Sequence, residues 1–306
     1  MNYDYDVIVL GDYCLDLIFT GLPSLPRLGS EIEATSLAME PGGACNSALA
    51  LHRLGVKTAW AVEFGTDEFS SFILDRFLKE SFPTDLFVHS KQKMRKITVS
   101  LSYPEERAFI AYYDQGNQIQ TALKGVAEKS ARIFLIPGLF YGPALKIAQI
   151  AFDSKGTSIF MDGNNSSDIT LKDQRIKNAL KSIRFFSLNQ KEAKSLTSEE
   201  KPEKAIQILG SYCKTVILKD GASGSWCCDD GKIYFESAIK VKTIDTTGAG
   251  DIFNAGFVKA WLDKKDIQTC LKWGNICGGL STTMSGANGY KLNALEIDQM
   301  TIQRSK

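Results

Sequence analysis

Asp245-Thr246-Thr247-Gly248-Ala249-Gly250-Asp251 packs two glycines, two threonines and two carboxylates into seven positions. Ile252, Phe253, Phe257, Val258 and Trp261 follow at helical spacing, and the alternating run from Ile239 to Ile244 before it predicts a short strand. The glycines therefore fall in a tight strand-to-helix turn whose backbone N–H groups crown a helix. First-turn N–H groups have no partner within their helix, and the dipole adds positive charge, so Gly248, Ala249 and Gly250 can form an anion hole. Glycine also lets a phosphate approach the backbone with no Cβ in the way. Asp251 stands at the same helix start as a candidate general base, the pairing that phosphoryl transfer needs. Taken alone, an Asp at a helix start such as Asp251 reads first as a helix cap.

Other carboxylates stand where strands end. Val7-Ile8-Val9-Leu10 reads as a buried parallel strand, and Asp12 and Asp16 follow it at the edge where open α/β sheets bind ligands. Gly42 and Gly43 precede a helix predicted from Asn46 to Leu54 and stopped by Gly55, with Asn46 readable as its cap. Asn189 and Glu192 lie where a strand meets a helix and read as a capping box. Lys219 opens a turn with Gly221 and Gly224.

Strands predicted at 58–64, 132–136, 158–161, 183–188 and 215–218 alternate with helices such as 69–78 and 144–152. That pattern predicts an α/β fold, a central parallel-rich sheet with helices on both faces. Phe69, Phe72, Ile73, Phe77 and Leu78 are assigned to the core. Residues 97–103 and 108–113 alternate around Pro104-Glu105-Glu106 as a hairpin with one apolar face. A lone hairpin is marginal, so it must pair with another segment, and the excursion at about 15–41 is the nearest candidate.

Four stretches together resemble the ribokinase-like (PfkB) carbohydrate kinases: the Asp245–Asp251 signature, Pro41 to Gly55, Asn189-Gln190-Lys191-Glu192, and Lys219-Asp220-Gly221-Ala222-Ser223-Gly224. They stand in family order and spacing, and the resemblance covers essentially the whole chain, a single kinase domain over 1–306 with β-lid segments inserted at about 15–41 and 95–113. It implies ATP-dependent phosphorylation of a primary hydroxyl, with Asp251 as base. Asp12, Asp16, Gly42, Gly43 and Asn46 would bind the sugar. Asn189, Glu192, Lys219, Gly221, Gly224 and Asn275 would hold the nucleotide, with Glu192 holding Mg2+ through water. A monovalent cation, potassium, would take Asp245 and the carbonyls of Thr247, Ser281, Met284 and Gly286. Tyr290 departs from the small hydroxyl residue usual at one further cation position. The loop from Gly43 to Asn46 is one residue shorter than is usual, with Cys45 in the gap. Ala44 replaces the Lys that follows the glycine pair in kinases of sugar phosphates, so an unphosphorylated sugar is expected, with a nucleoside or a silent binding protein as the alternatives.

Composition bounds the partners. With 36 basic and 35 acidic residues among 306, the net charge is +1, and neither nucleic acid nor an anionic membrane is an expected partner. No apolar run approaches a membrane span, the acidic N-terminus is unlike a signal peptide, and seven cysteines without zinc spacing suit a reducing cytoplasm. The two histidines, His52 and His89, argue against a Ser-His-Asp site. A nucleotide-dependent oxidoreductase would carry G-x-G-x-x-G after the first strand, where this chain has Gly11-Asp12-Tyr13-Cys14-Leu15-Asp16. The lid is expected to act as a homodimer interface or as a moving cover.

Overall fold

The computed structural model describes residues 2–103, 107–114, 125–138, 145, 156–163 and 170–304. The main sheet is built from β1 (Tyr5–Leu10), β4 (Thr58–Phe64), β5 (Phe87–His89), β8 (Ala131–Ile136), β9 (Ser158–Asp162), β10 (Phe185–Asn189), β11 (Thr215–Lys219), β12 (Gly224–Asp229) and β13 (Lys232–Ser237). Their spatial order is β13-β12-β11-β10-β9-β8-β1-β4-β5. From β11 to β5 every pairing is parallel, and β12 and β13 close one edge antiparallel.

A parallel sheet has to be covered on both sides, and the strand sequences answer that need. In β1, Val7 and Val9 enter one core while Ile8 and Leu10 enter the other, all four fully buried. Each such side chain contributes about 1.5–3 kcal/mol by leaving water. The first core is closed by α1 (Ala44–Arg53), α2 (Glu68–Lys79), α6 (Ala249–Leu262), α7 (Ile267–Ser281) and α8 (Ala294–Gln303). The second is closed by α3 (Gln174–Lys181), α4 (Gln190–Thr197) and α5 (Pro202–Gly210).

The second sheet is the lid. Its strands β2 (Tyr13–Thr20), β3 (Ser36–Gly43), β6 (Lys96–Ser102) and β7 (Arg107–Tyr113) lie in the order β3-β2-β6-β7. The hairpin of β6 and β7 therefore does pair with the 15–41 excursion, through a parallel β2–β6 ladder from Leu15–Ile97 to Phe19–Leu101. The turn at 104–106 and the helix expected at 144–152 fall outside the described residues, apart from Leu145.

Three local expectations need correction. Ile239 to Ile244 is not a strand; only Ile239 packs inward, onto Gly279 of α7, and Ile244 is exposed, so the alternation finds no partner ladder. Phe72 and Leu78 are exposed on α2, whose buried stripe is narrower than its apolar content. Asn46 does not cap α1, which begins at Ala44 with Gly43 in the left-handed region at its cap position.

Candidate active site

Asp12 follows β1, and Asn189 and Lys219 end β10 and β11, so these three lie at the C-terminal edge of the parallel strands, while Asp16, Gly42 and Gly43 come from the lid strands β2 and β3. Gly248 occupies the cap position of α6 at φ 66°, a left-handed conformation that glycine adopts without strain. A side chain there would also clash with Ala287. Ala249, Gly250 and Asp251 form the first turn of the helix. Asp251 is not the cap. Its Oδ2 accepts a 3.0 Å hydrogen bond from Asn46 Nδ2, and Asn46 Oδ1 accepts from Asn288 Nδ2 at 3.1 Å. Burial pushes the Asp251 carboxyl up to about 7; Asp162 adds to the rise, while Asn46 and Lys219 oppose it.

One flank of this turn is acidic. Asp16, on β2, is buried, and burial pushes it up to about 6, with Asp245 and Glu40 adding to the rise. Cys14 Sγ donates to its Oδ1 at 3.1 Å. Gly42 is glycine because a Cβ there would run into the Asp16 carboxylate, and Gly43 likewise faces the Asp12 carbonyl, 2.7 Å from where its Cβ would stand. Asp12 follows β1 and accepts from Lys96 Nζ at 2.5 Å, while that buried ammonium lies 4.5 Å from the centre of the Tyr13 ring. In the shortened Gly43–Asn46 segment, Cys45 is wholly buried in α1 and Asn46 reaches Asp251.

On the opposite side, Asn189 ends β10 and caps α4. Its side chain accepts from Glu192 N at 2.9 Å, and Glu192 Oε2 accepts from Asn189 N at 2.8 Å, so the capping box is real. A Cβ on Gly163 would stand 2.9 Å from Glu192 Oε2, which keeps that carboxylate at the edge beside β9. Lys219 ends β11, and Gly221 and Gly224 form the turn into β12. Its ammonium meets Asp162 Oδ2 at 2.5 Å and approaches Gly250, 3.2 Å from where a Cβ would be. Asn275 ties α7 to the end of β13 by donating to Glu236 O at 2.9 Å. Gly278 and Gly279 serve helix packing rather than an open face: added Cβ atoms would crowd Ala249 and Ile239 respectively.

A family model described as "pfkB family carbohydrate kinase" matches residues 5–293. The chain belongs to the pfkB family. An uncharacterized sugar kinase of Archaeoglobus fulgidus is 27% identical over 78% of this chain and 96% of that one. The ribokinase of Bacillus subtilis is 24% identical over 96% of this chain and 99% of its own. Among solved structures, Arabidopsis thaliana ribokinase complexed with ribose and ATP superposes with a TM-score of 0.80 at 20% identity, covering 97% of this chain and 98% of that one. The protein is thus a carbohydrate kinase of the pfkB family, on the ribokinase fold.

This pfkB kinase gathers Asp12, Asp16, Gly42, Gly43 and Asn46 on one flank of the Gly248–Asp251 turn, and Lys219 on the other. Asp245 lies behind the turn. Its Oδ1 accepts from Thr247 N at 2.9 Å and Thr247 Oγ1 at 2.7 Å, and its Oδ2 accepts from Gly286 N at 2.8 Å. The Gly286 carbonyl accepts from Gly289 N, Ser281 is buried and donates its hydroxyl to Gly278 O, Met284 is half exposed, and the Tyr290 hydroxyl donates to Glu296 at 2.7 Å. This set fits a monovalent cation only in part, since the protein's own N–H groups already meet Asp245.

Sequence reasoning missed three residues. Arg107, from the lid strand β7, donates to Thr247 Oγ1 at 2.8 Å and lies 3.7 Å from Asp245. Lys96 lies one residue before the strand predicted at 97–103 and opens β6 in the structure. Asp162 carried a usable signal, a carboxylate closing an apolar strand just as Asp12 follows Val7–Leu10. No helix among the described residues is long and apolar enough to cross a membrane.

Proposed function

We propose that the protein transfers the γ-phosphoryl group of ATP to a primary hydroxyl of a small unphosphorylated sugar, within one kinase domain over 1–306. The observation that supports this best is the Asn46–Asp251 hydrogen bond of 3.0 Å, which joins the acceptor-side helix to a carboxylate beside the anion hole. Asp12 and Asp16, as ionised carboxylates, only accept hydrogen bonds, so they suit a ligand rich in O–H donors. Lys96 pairs with Asp12, so the unpaired acidity of the pocket comes from Asp16 and Asp251; it disfavours a phosphorylated acceptor, and Ala44 adds no further cation. Asp251 accepts the proton of the attacking hydroxyl. Gly248, Ala249 and Gly250 direct N–H groups at the transferred group, where charge builds as the bond to ADP breaks.

Asn189 and Glu192 would hold magnesium through its water shell: a carboxylate at the sheet edge suits a hard ion that keeps most of its waters. When bound with the nucleotide, the ion would neutralise phosphate oxygens. Gly221, Gly224 and Asn275 line the side assigned to the nucleotide. Potassium would act at Asp245, Thr247, Ser281, Met284 and Gly286 only as a modest activator.

The lid covers the acceptor side, and Arg107 ties it to the anion-hole turn. Its edge strand β7 exposes Phe109, Ile110, Tyr112 and Tyr113, so a second copy pairing there would mask both the apolar surface and an open sheet edge. Sedimentation equilibrium distinguishes the roles: a strict monomer leaves the lid as a cover alone. Seven cysteines, all buried and unpaired, suit a reducing cytoplasm. The decisive experiment is ADP release with magnesium and ATP across sugars, polyols and nucleosides. Turnover is expected with at least one; ligand binding without turnover on the whole panel would make the protein a silent binder.

A further inference from the structure

Asp162 belongs to none of the four family-like stretches, yet it is among the most constrained carboxylates of the molecule. Its Oδ2 accepts from Lys219 Nζ and from Asn254 Nδ2, both at 2.5 Å, and Asn254 Oδ1 accepts from Ser187 Oγ at 2.7 Å. Asp162 and Ser187 are register neighbours across β9 and β10, and Asn254 lies on α6 one turn beyond Asp251. Asp162, Asn254 and Ser187 are all buried, and the Lys219 side chain is only 14% exposed.

A buried ion pair is a weak source of stability, because the cost of removing both charges from water roughly cancels their attraction. The direction of the ammonium suggests another role. Lys219 approaches Gly250 to 3.2 Å from the Cβ position, so its charge faces the anion-hole turn, and an ammonium has three N–H donors of which Asp162 takes one.

We propose that Lys219 is a catalytic cation that meets the transferring phosphoryl group at the Gly248–Gly250 turn, and that Asp162, locked by Asn254 and Ser187, is the positioning residue that holds it there. The proposal rests on the kinase reading of the same site and adds the device that orients its charge. As the acceptor oxygen bonds to phosphorus and the bond to the ADP oxygen breaks, charge spreads over the phosphoryl oxygens, and a pre-placed ammonium stabilises it without reorganising. The proton leaves on Asp251. The charged or titratable groups facing Asp251 are Asp162, Lys219, Asp16 and Cys14, so changing the pair also changes the proton affinity of the base.

The test uses the full chain with magnesium, ATP and an acceptor that turns over, and compares Asp162→Asn, Lys219→Met and the double variant. Each single change should lower kcat by roughly 10–100-fold, the loss of a hydrogen bond to a charged group, with the acceptor KM within about threefold of wild type. The acidic limb of the kcat/KM profile should move to lower pH in Asp162→Asn, which loses a neighbouring negative charge, and to higher pH in Lys219→Met. The double variant removes both charges, so it should fold even if a single one does not, and its kcat should match that of Lys219→Met. Tripolyphosphate binding by calorimetry gives a readout free of turnover, and each single variant should weaken it about tenfold. If Tm falls but kcat, the pH limb and tripolyphosphate affinity stay at wild-type values, or if the double variant regains wild-type kcat, the pair is structural and the proposal is overturned. If the wild type turns over no acceptor but binds tripolyphosphate in a Lys219-dependent way, the kinase reading fails and the anion site stands.

Discussion

Replacing Asp251 by Asn separates two roles, catalytic base and stabilising anion in the first turn of α6. Asn keeps the shape and can still accept the 3.0 Å hydrogen bond from Asn46, but it cannot take a proton at neutral pH. Loss of a general base costs roughly 10²–10⁴-fold in rate, and the loss should appear in kcat rather than KM. Stability should move the other way. The carboxyl rises from an ordinary 3.8 to about 7 in the folded protein, with burial as the largest cause. The folded state therefore holds the proton more tightly than the unfolded chain, and stability is lost as pH rises from about 4 through 7. At about 1.4 kcal/mol for each tenfold change, the ionised carboxylate costs about 4 kcal/mol at pH 8. The helix N-terminus returns about 1 kcal/mol of that to an anion. Asp251→Asn should thus be more stable than wild type by about 3 kcal/mol at pH 8, a rise of roughly 5 °C in Tm, and nearly equal to it at pH 4. The assay is paired: initial rates at saturating substrates, and thermal melts at both pH values. Near-wild-type kcat together with a lowered Tm at pH 8 would refute the reasoning and leave Asp251 as a stabilising anion in the first turn of α6.

Wild-type kcat/KM for the acceptor should climb with pH to a plateau above about 7, as Asp251 loses its proton; a flat profile between pH 5.5 and 8.5 would remove it as base. Asp16→Asn should raise the acceptor KM by roughly 10–100-fold, since it removes a charged acceptor for hydroxyls, while ATP affinity measured by calorimetry stays put. Gly42→Ala should reproduce that loss of acceptor binding with the fold intact, because its methyl group would displace the Asp16 carboxylate; unchanged acceptor KM would show that Asp16 does not need its present place. Potassium should stimulate turnover less than about threefold, because Asp245 already accepts N–H groups from Thr247 and Gly286 and a good hydrogen bond to a charged group is worth about 1.5–3 kcal/mol. Complete dependence on potassium in a titration against sodium-free buffer would contradict this.

Local chemistry made much of this protein legible in its sequence. Unbroken apolar runs such as Val7–Leu10 can be satisfied only between two layers of helices, so the parallel-rich sheet followed from them. The glycines at 248 and 250 before a helical pattern, and the Asn189–Glu192 spacing, encode backbone conformations and caps settled within a few residues. The alternation of 97–103 and 108–113 likewise announced a hairpin, and its marginal stability alone demanded a partner strand. What sequence could not supply were contacts between segments far apart in the chain. Asn46 and Asp251 are 205 residues apart, and only the packing of α1 against α6 joins them. The left-handed Gly248 sets the cap and leaves Asp251 in the first turn, and the packing around it gives it a desolvated, proton-retaining carboxyl, since burial is a property of the assembled cleft. Lys96 stands just before the strand predicted at 97–103, and only the fold brings it to Asp12. Asp162 and Lys219 close two different strands, and β10 lies between them. Short-range propensity acts over a few residues, whereas an ion pair acts through space, so the charges around the base were decided by tertiary structure.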